Sequence, residues 1–336
     1  MEKSLPTNNV SKKLKNFIKN WMSLVGLLLL IVVFSVLSRA LYGSQTFMTL
    51  KNWKTILVQS ASLAVVALGQ SIMLLTGNFD LSLGRLVCLT SCVGAMLLVN
   101  SGWALIPTIL FMLAIGIVVG AINGFMVSYV GVPAMIATLG TQYICYGLAK
   151  LFTQAVPIPF DTNSALYKSF SWLGRGYWLN NTIPICVVIM LALYFIAQFV
   201  CTKTKIGRTL YAVGGSREAA FFSGINVKLV HLGTFILGGI LATFGGLILM
   251  ARLGSVAVTN GQNYEFDAVI SSIIGSVSLA GGKGHVLGTM LGCIFLTTLF
   301  NGFSMIGIDP FVQDVLKGVV LVLAVVLDVL SNRKKA

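Results

Sequence analysis

Three carboxylates stand inside largely apolar sequence: Asp80 in TGNFDLSLGR (76–85), and Glu265 and Asp267 in NYEFDAV (263–269). A carboxylate at mid-membrane depth costs about 2.5–3.5 kcal/mol on insertion scales, so it persists where a helix end, a cavity or a partner receives it. Gly77 and Asn78 permit a break in the helix before Asp80. Asp80 can then cap the next helix, accepting the backbone N–H of residue 82 or 83 at an end that favours negative charge. It can instead, with Ser82 beside it, meet a polar solute. Glu265 and Asp267 begin their own apolar run and present the same two alternatives. Asp314 and Lys317, spaced i, i+3 in the last apolar run, are expected to neutralise each other.

No residues are spaced for a reaction. GGKGH (281–285) has neither the spacing nor the hydroxyl of a P-loop, and HExxH and GxSxG do not occur. The six cysteines lie in or beside apolar runs and form no CxxC pair or cluster with His231 or His285, so a metal site is not expected. The chain is therefore not expected to be an enzyme.

The stretch GGSREAAFFSGINVK (214–228) carries a different signal. Ser216 suits an N-cap, Glu218 falls in the first turn, and Gly224 suits the position after the last turn, which predicts a short helix over 217–223. Such a helix cannot span a membrane. It presents Ala219, Ala220, Phe221 and Phe222 between Arg217 and Lys228, as a protein contact would; a helix lying on lipid is the alternative.

The elements that position these groups follow from composition. The chain is 57% hydrophobic, 10% charged and has a mean hydropathy of +0.92. A soluble domain of this length could not cover so much apolar surface, and the apolar runs reach the roughly 20 residues needed to cross a core of about 30 Å. A helical bundle is expected rather than a barrel. Candidate spans cover 22–41, 56–76, 78–99, 104–130, 133–153, 183–201, 232–252, 262–282, 285–304 and 310–330. The runs at 78–99 and 262–282 are the least hydrophobic and could be re-entrant, which leaves a span count between eight and ten. The first run exceeds a signal-peptide core and no small-residue cleavage site follows it, so it reads as a retained span.

The net charge of +14 sits beside the spans, where it orients the protein rather than binding nucleic acid. With both termini in the cytoplasm, the inner segments carry Lys3, Lys12, Lys13, Lys15 and Lys19 of an arm (1–21), the basic loop 202–231, Lys283, and a tail (331–336) with Arg333, Lys334 and Lys335. The loop at 154–182, with Pro157, Pro159, Trp172 and Trp178, then lies outside, and residues 22–330 form the transmembrane domain. Glycine triplets at Gly116, Gly120, Gly124 and at Gly284, Gly288, Gly292 allow close helix packing. INGF (122–125) and FNGF (300–303), with Phe79-Asp80 and Phe266-Asp267, form a weak echo offset by about five spans, an odd number that inverts a second copy in the membrane. Chance similarity among Gly-rich helices is the alternative.

Three stretches together resemble a known family. Gly77-Asn78-Phe79-Asp80-Leu81-Ser82-Leu83-Gly84 is similar to the G-x-x-D-L-S-x-G signature of permease subunits of ribose- and galactose-type ABC importers. Ala137-Thr138-Leu139-Gly140 resembles their next block, and GRTLYAVGGSREAAFFSGIN (207–226) resembles their coupling loop, with the EAAxxxG pattern at Glu218, Ala219, Ala220 and Gly224. Asn78 and Phe79 depart from the Gly-Ile common before the aspartate. The resemblance implies an all-α membrane protein of about ten helices, with a fold like the type II vitamin B12 importers and two inverted halves. It implies import of a monosaccharide across the bacterial inner membrane by alternating access, with Glu218, Ala219, Ala220, Phe221 and Gly224 coupling to a separate ATPase of two nucleotide-binding domains. That ATPase would bind ATP and magnesium, and this chain no cofactor. A second permease copy or paralogue and an extracytoplasmic sugar-binding protein complete the set; which sugar is transported is not readable. The competing class is an ion-coupled secondary transporter or a channel acting alone.

Overall fold

The computed structural model describes residues 22–43, 45–179 and 182–333; the basic arm 1–21 and residues 334–336 of the tail lie outside the described residues. The fold is helical. In chain order the helices are α1 (Met22–Tyr42), α2 (Leu50–Leu75), α3 (Leu83–Ala95), α4 (Leu105–Phe125), α5 (Ala134–Thr153), α6 (Ala165–Arg175), α7 (Ile185–Lys203), α8 (Lys205–Gly215), α9 (Arg217–Phe222), α10 (Val227–Leu253), α11 (Tyr264–Ile274), α12 (Val286–Met305) and α13 (Pro310–Arg333). Single π-turns prolong α3 to Asn100 and α4 to Val130.

Among the described residues, eight helices are long and apolar enough to cross a membrane: α1, α2, α3 with its π-turn, α4, α7, α10, α12 and α13. This is a multi-pass membrane protein. Helix α5 has 20 residues, but Thr138, Thr141, Gln142 and Lys150 lower its apolarity. The run expected at 262–282 is not one continuous span. Its helix is α11, of 11 residues, about 16 Å long, and the chain from 275 to 285 is irregular. Gly281 and Gly282 there have φ of +84° and +66°, which side chains with a Cβ rarely adopt. The run expected at 78–99 is likewise irregular until α3 begins at Leu83. Of the two least hydrophobic runs, 262–282 is broken, whereas 78–99 starts late but continues through α3 and its π-turn to Asn100 as a full-length span.

Helices α2 and α10 form the centre of the bundle, buried along most of their length. They run antiparallel in close contact: a Cβ on Gly69 would lie 3.0 Å from Gly238 Cα, and one on Gly245 would lie 2.5 Å from Val66 Cγ2. Helix α4 packs antiparallel on the other side of α10 through Gly116, Gly120 and Gly124, which face Gly239, Phe235 and Leu232 in turn. The second triplet behaves differently. Gly288 and Gly292 face Gly275 and Ser271 of the α11 segment, but Gly284 has φ +129° and precedes the helix, so it is not on the same helix face.

At one end of the bundle the segment 154–182 forms a cover of helix α6 and two-residue strands rather than a plain loop. β1 (Ile158–Pro159) pairs antiparallel with β4 (Ser255–Val256), and β2 (Tyr177–Trp178) with β3 (Ile183–Pro184). Tyr167 Oη donates to Ala251 O and Arg175 Nε to Arg252 O, which ties this cover to the end of α10. Helices α8 and α9 lie at the opposite end.

Candidate functional site

The short helix forms where local signals place it. Ser216 Oγ accepts the Ala219 N–H at 3.2 Å. At the other end Gly224, at φ +80°, reverses the chain so that Gly224 N–H reaches Phe221 O and Ile225 N–H reaches Ala220 O at 3.1 Å, a paired C-terminal cap that satisfies two orphan carbonyls. The helix is Arg217–Phe222, one residue shorter than expected. Phe221 and Phe222 are 67% and 85% exposed and pack edge to face, with Glu218 and Ala219 exposed beside them. Ala220 is corrected from the expected patch: at 3% exposure it is buried beneath the helix, because a six-residue helix must turn one side onto the bundle to be held at all.

That hold is specific. Arg217 Nη2 donates to Gly77 O at 3.3 Å and to Asn78 Oδ1 at 3.1 Å. The Asn78 amide then donates through Nδ2 to His231 Nδ1 at 2.8 Å. Gly282 N–H reaches Leu75 O, and Tyr211 Oη donates to Gly284 O. Gly214 packs so tightly against Leu75 O that no Cβ fits there. The end of α2, the α8–α9 junction and the 281–284 loop therefore meet as one knot.

From this knot the chain turns back into the bundle. Gln70 Oε1 accepts the Asp80 N–H at 3.3 Å, which puts Asp80 about 8 Å up α2 from Leu75. Asp80 is 1% exposed. Its Oδ1 accepts both the N–H and the O–H of Ser82 at 2.6 Å, and its Oδ2 accepts Asn123 Nδ2–H at 3.0 Å. Asn123 also donates to Ser82 Oγ, and Thr141 Oγ1 donates to Asn123 Oδ1. Asp80 accepts from residue 82 as expected, but it closes the turn before α3 rather than capping it. Ser82 occupies the cap position and makes no side-chain cap bond.

Glu265 lies in the first turn of α11, where Asn263, not a carboxylate, holds the cap position at φ +66°. It too is 1% exposed. Its Oε1 accepts Gln142 Nε2–H at 3.3 Å, and its carboxylate lies against Gly84. Tyr264 Oη is 3.1 Å from Ser62 Oγ, near the middle of α2. The starts of α3 and α11 therefore face each other deep in the bundle, each with a carboxylate beside it, and adjacent residues of α5, Thr141 and Gln142, reach the two clusters. Two helix N-termini at this depth, one of them the short α11, concentrate positive potential beside the two carboxylates.

Asp267 does not join them. It turns to the other side of α11, where Lys317 Nζ lies 3.2 Å from its Oδ2. This corrects the expected Asp314–Lys317 pair: spacing along α13 permits it, but the packing of α13 on α11 offers Lys317 a more buried carboxylate. Of the sequence-derived residues, then, Asp80, Ser82 and Glu265 are brought together, Asp267 faces a separate polar cavity, and Glu218, Ala219 and Phe221 lie on the surface at the α9 end. Gln70, Asn123, Thr141, Gln142 and the Arg217–Asn78–His231 chain escaped sequence reading. Their signal is polarity inside apolar runs, which is rare enough to flag a residue but does not name its partner.

The sequence matches, over residues 52–325, a family described as branched-chain amino acid transport system / permease component. The chain is 36% identical to the ribose import permease protein of Escherichia coli strain K12, covering 98% of this chain and all of that one. It is 35% identical to the galactose/methyl galactoside import permease protein of the same strain, over 91% of this chain and 94% of the relative. The ribose import permease protein of Bacillus subtilis strain 168 is 35% identical, over 100% and 97%. No solved structure gives a significant match. A match over most of the chain, with relatives aligned almost end to end, places this chain in the family of branched-chain amino acid transport system / permease components.

Proposed function

We propose that the chain is the membrane-spanning subunit of an ATP-driven importer for a monosaccharide such as ribose or galactose. The family description names branched-chain amino acids, whereas the relatives similar over nearly the whole chain are named for ribose and galactose. Similarity along the full length reflects the same construction throughout, so the sugar reading is preferred. The same relatives favour an importer component over an ion-coupled carrier or channel acting alone.

The observation that carries the mechanism is the knot at Arg217. Helix α9 exposes two aromatic rings and a carboxylate, a surface suited to an ATPase with two nucleotide-binding domains, which would hold ATP and magnesium. Its first residue is bonded to Gly77 and Asn78, two residues from Asp80. A push or pull on α9 therefore acts on the turn that sets the start of α3. Movement there opens or closes the meeting point of α3 and α11, which is alternating access in local terms.

This reading places the α9 end and both termini in the cytoplasm, the 154–182 cover outside, and a binding protein delivering sugar to that cover. Helices α2–α5 and α10–α13 are the two inverted halves of a type II fold. The antiparallel α2–α10 pair and the facing starts of α3 and α11 support that assignment. A second copy or a paralogue completes the pathway.

Glu218→Lys in the assembled importer tests it. The variant protein reaches the membrane with unchanged melting behaviour, because Glu218 is exposed, yet loses association with its ATPase and sugar uptake. Unchanged uptake refutes the assignment, as does thiol labelling that places residues 205 and 218 outside.

A further inference from the structure

A groove of about 900 Å3 runs among α3, α4 and α5. Its mouth is at the end that carries the 154–182 cover: Leu97 lies in the π-turn that prolongs α3, Trp103 just precedes α4, and Phe152 is in the last turn of α5. From there it descends about 12 Å on α3, from Leu97 to Leu89, about 16 Å on α5, from Phe152 to Thr141, and about 22 Å on α4 and its π-turn, from Phe111 to Met126. At its foot Thr141 Oγ1 donates to Asn123 Oδ1 and ties α5 to α4. Ala114, Val118 and Ile144 on its lips are exposed, so the groove opens on the outside of the bundle.

We propose that this groove holds one acyl chain of a phospholipid from the leaflet on the cover side. The proposal needs only that the protein spans a membrane, and is independent of what it transports. Three observations carry it. The wall is hydrocarbon: apart from the Thr141 hydroxyl, the Cys145 thiol and the Trp103 indole, every side chain that lines it is apolar. Thr141 spends its proton on Asn123, and Cys145 is buried. Water, which needs about two to four polar partners, finds no such set along this wall. The length is that of one leaflet, since half of a hydrocarbon core of about 30 Å is about 15 Å. A transmembrane helix of a second copy would need a groove running to both faces of the bundle, whereas the Thr141–Asn123 bond closes this one at mid-depth on α5. A lipid tail ends near the bilayer midplane and needs nothing deeper. Finally, the mouth suits an interface. Trp103, 42% exposed and edge to face with Phe111, is an amphipathic ring of the type that settles at headgroup level. Occupancy acts inside the bundle as well. A tail lying against Ile144, Cys145 and Leu148 braces α5 at Thr141, the residue that reaches Asp80 through Asn123.

The test compares tails under one headgroup. The full chain, purified in detergent, is titrated with palmitoyl-oleoyl phosphatidylglycerol or with dihexanoyl phosphatidylglycerol, and melting is followed by fluorescence-detected gel filtration. A ligand that binds the folded state raises the melting temperature, so the long-tailed lipid raises it and the short-tailed one does not. Ala114→Trp fills the groove from its α4 lip. It abolishes the shift, and in native mass spectrometry it loses a phospholipid that the wild type retains. Ile144→Trp, from the α5 lip, serves if Ala114→Trp does not fold. No shift with the long-tailed lipid overturns the proposal, and an equal shift with both lipids assigns binding to the headgroup and overturns it too. A shift that the filled variant retains comes from lipid around the whole bundle, with the same consequence. A wild-type dimer that Ala114→Trp converts to monomer gives the groove to a second copy and likewise overturns the proposal.

Discussion

Replacing Asp80 separates the need for an acceptor from the need for a charge. Asp80→Ala removes the acceptor for the Ser82 N–H and O–H and for Asn123 Nδ2. Asn123 keeps one N–H on Ser82 Oγ at 3.0 Å, so its second N–H and the two Ser82 donors are the groups left stranded. At about 1–3 kcal/mol for each buried donor, the loss is about 3–9 kcal/mol before the site relaxes. Asp80→Asn keeps one oxygen for Ser82, but its new NH2 faces the NH2 of Asn123. A flip of the Asn123 amide relieves this, because Thr141 Oγ1, 3.0 Å from Ala137 O, can donate there and accept from the turned amide. What remains is the difference between charge-assisted and neutral bonds, about 1–2 kcal/mol, offset in part because no buried carboxylate has to be kept charged. Melting of the purified protein in detergent, followed by fluorescence-detected gel filtration, should therefore rank wild type, Asp80→Asn and Asp80→Ala in that order. Asp80→Ala combined with Asn123→Ala should cost less than the sum of the two, since they share a bond. An alanine variant as stable as wild type, or an asparagine variant as damaged as alanine, refutes the account. Asparagine with normal melting and no uptake would assign the carboxylate to the solute.

Other substitutions probe the knot and the ion pair. Gly214→Ala places a methyl group against Leu75 O and 2.5 Å from Gly282 N; overpacking of this kind costs about 1–3 kcal/mol, read as a lower melting temperature. Phe221→Ser with Phe222→Ser should leave melting unchanged, because both rings are exposed, yet abolish co-purification with the ATPase; retained co-purification moves the docking surface elsewhere. Lys317→Met strands Asp267. Losing one partner of a fully buried pair costs about 3–5 kcal/mol, and partial exposure of Lys317 puts the expected loss at or below the lower figure. Asp267→Asn in the same chain should restore most of that stability, whereas no rescue would show that the two groups do not depend on each other.

What the sequence by itself determined is local. Apolar length marked the spans, and Ser216 and Gly224 bounded α9 to within one residue, because caps and helix periodicity depend on neighbours a few positions away. The low hydrophobicity of 262–282 flagged the one broken span for the same reason, while the equally flagged 78–99 holds a full-length helix from Leu83. What the tertiary structure decided are the partners. Lys317 has Asp314 three residues away and bonds Asp267 instead. Asp80 is received by Asn123, 43 residues on, and Glu265 by Gln142, 123 residues back. Such pairs depend on the depth and rotation at which helices pack, and a polar group in an apolar run states only that it needs a partner. Gly284 was misplaced on a helix face by spacing alone, since it lies at φ +129° in the irregular stretch before α12, which is hydrogen-bonded to α8 through Tyr211 and to the end of α2 through Gly282. The elements are thus written in short stretches of sequence, and the site is formed only when the bundle brings distant stretches to the same depth.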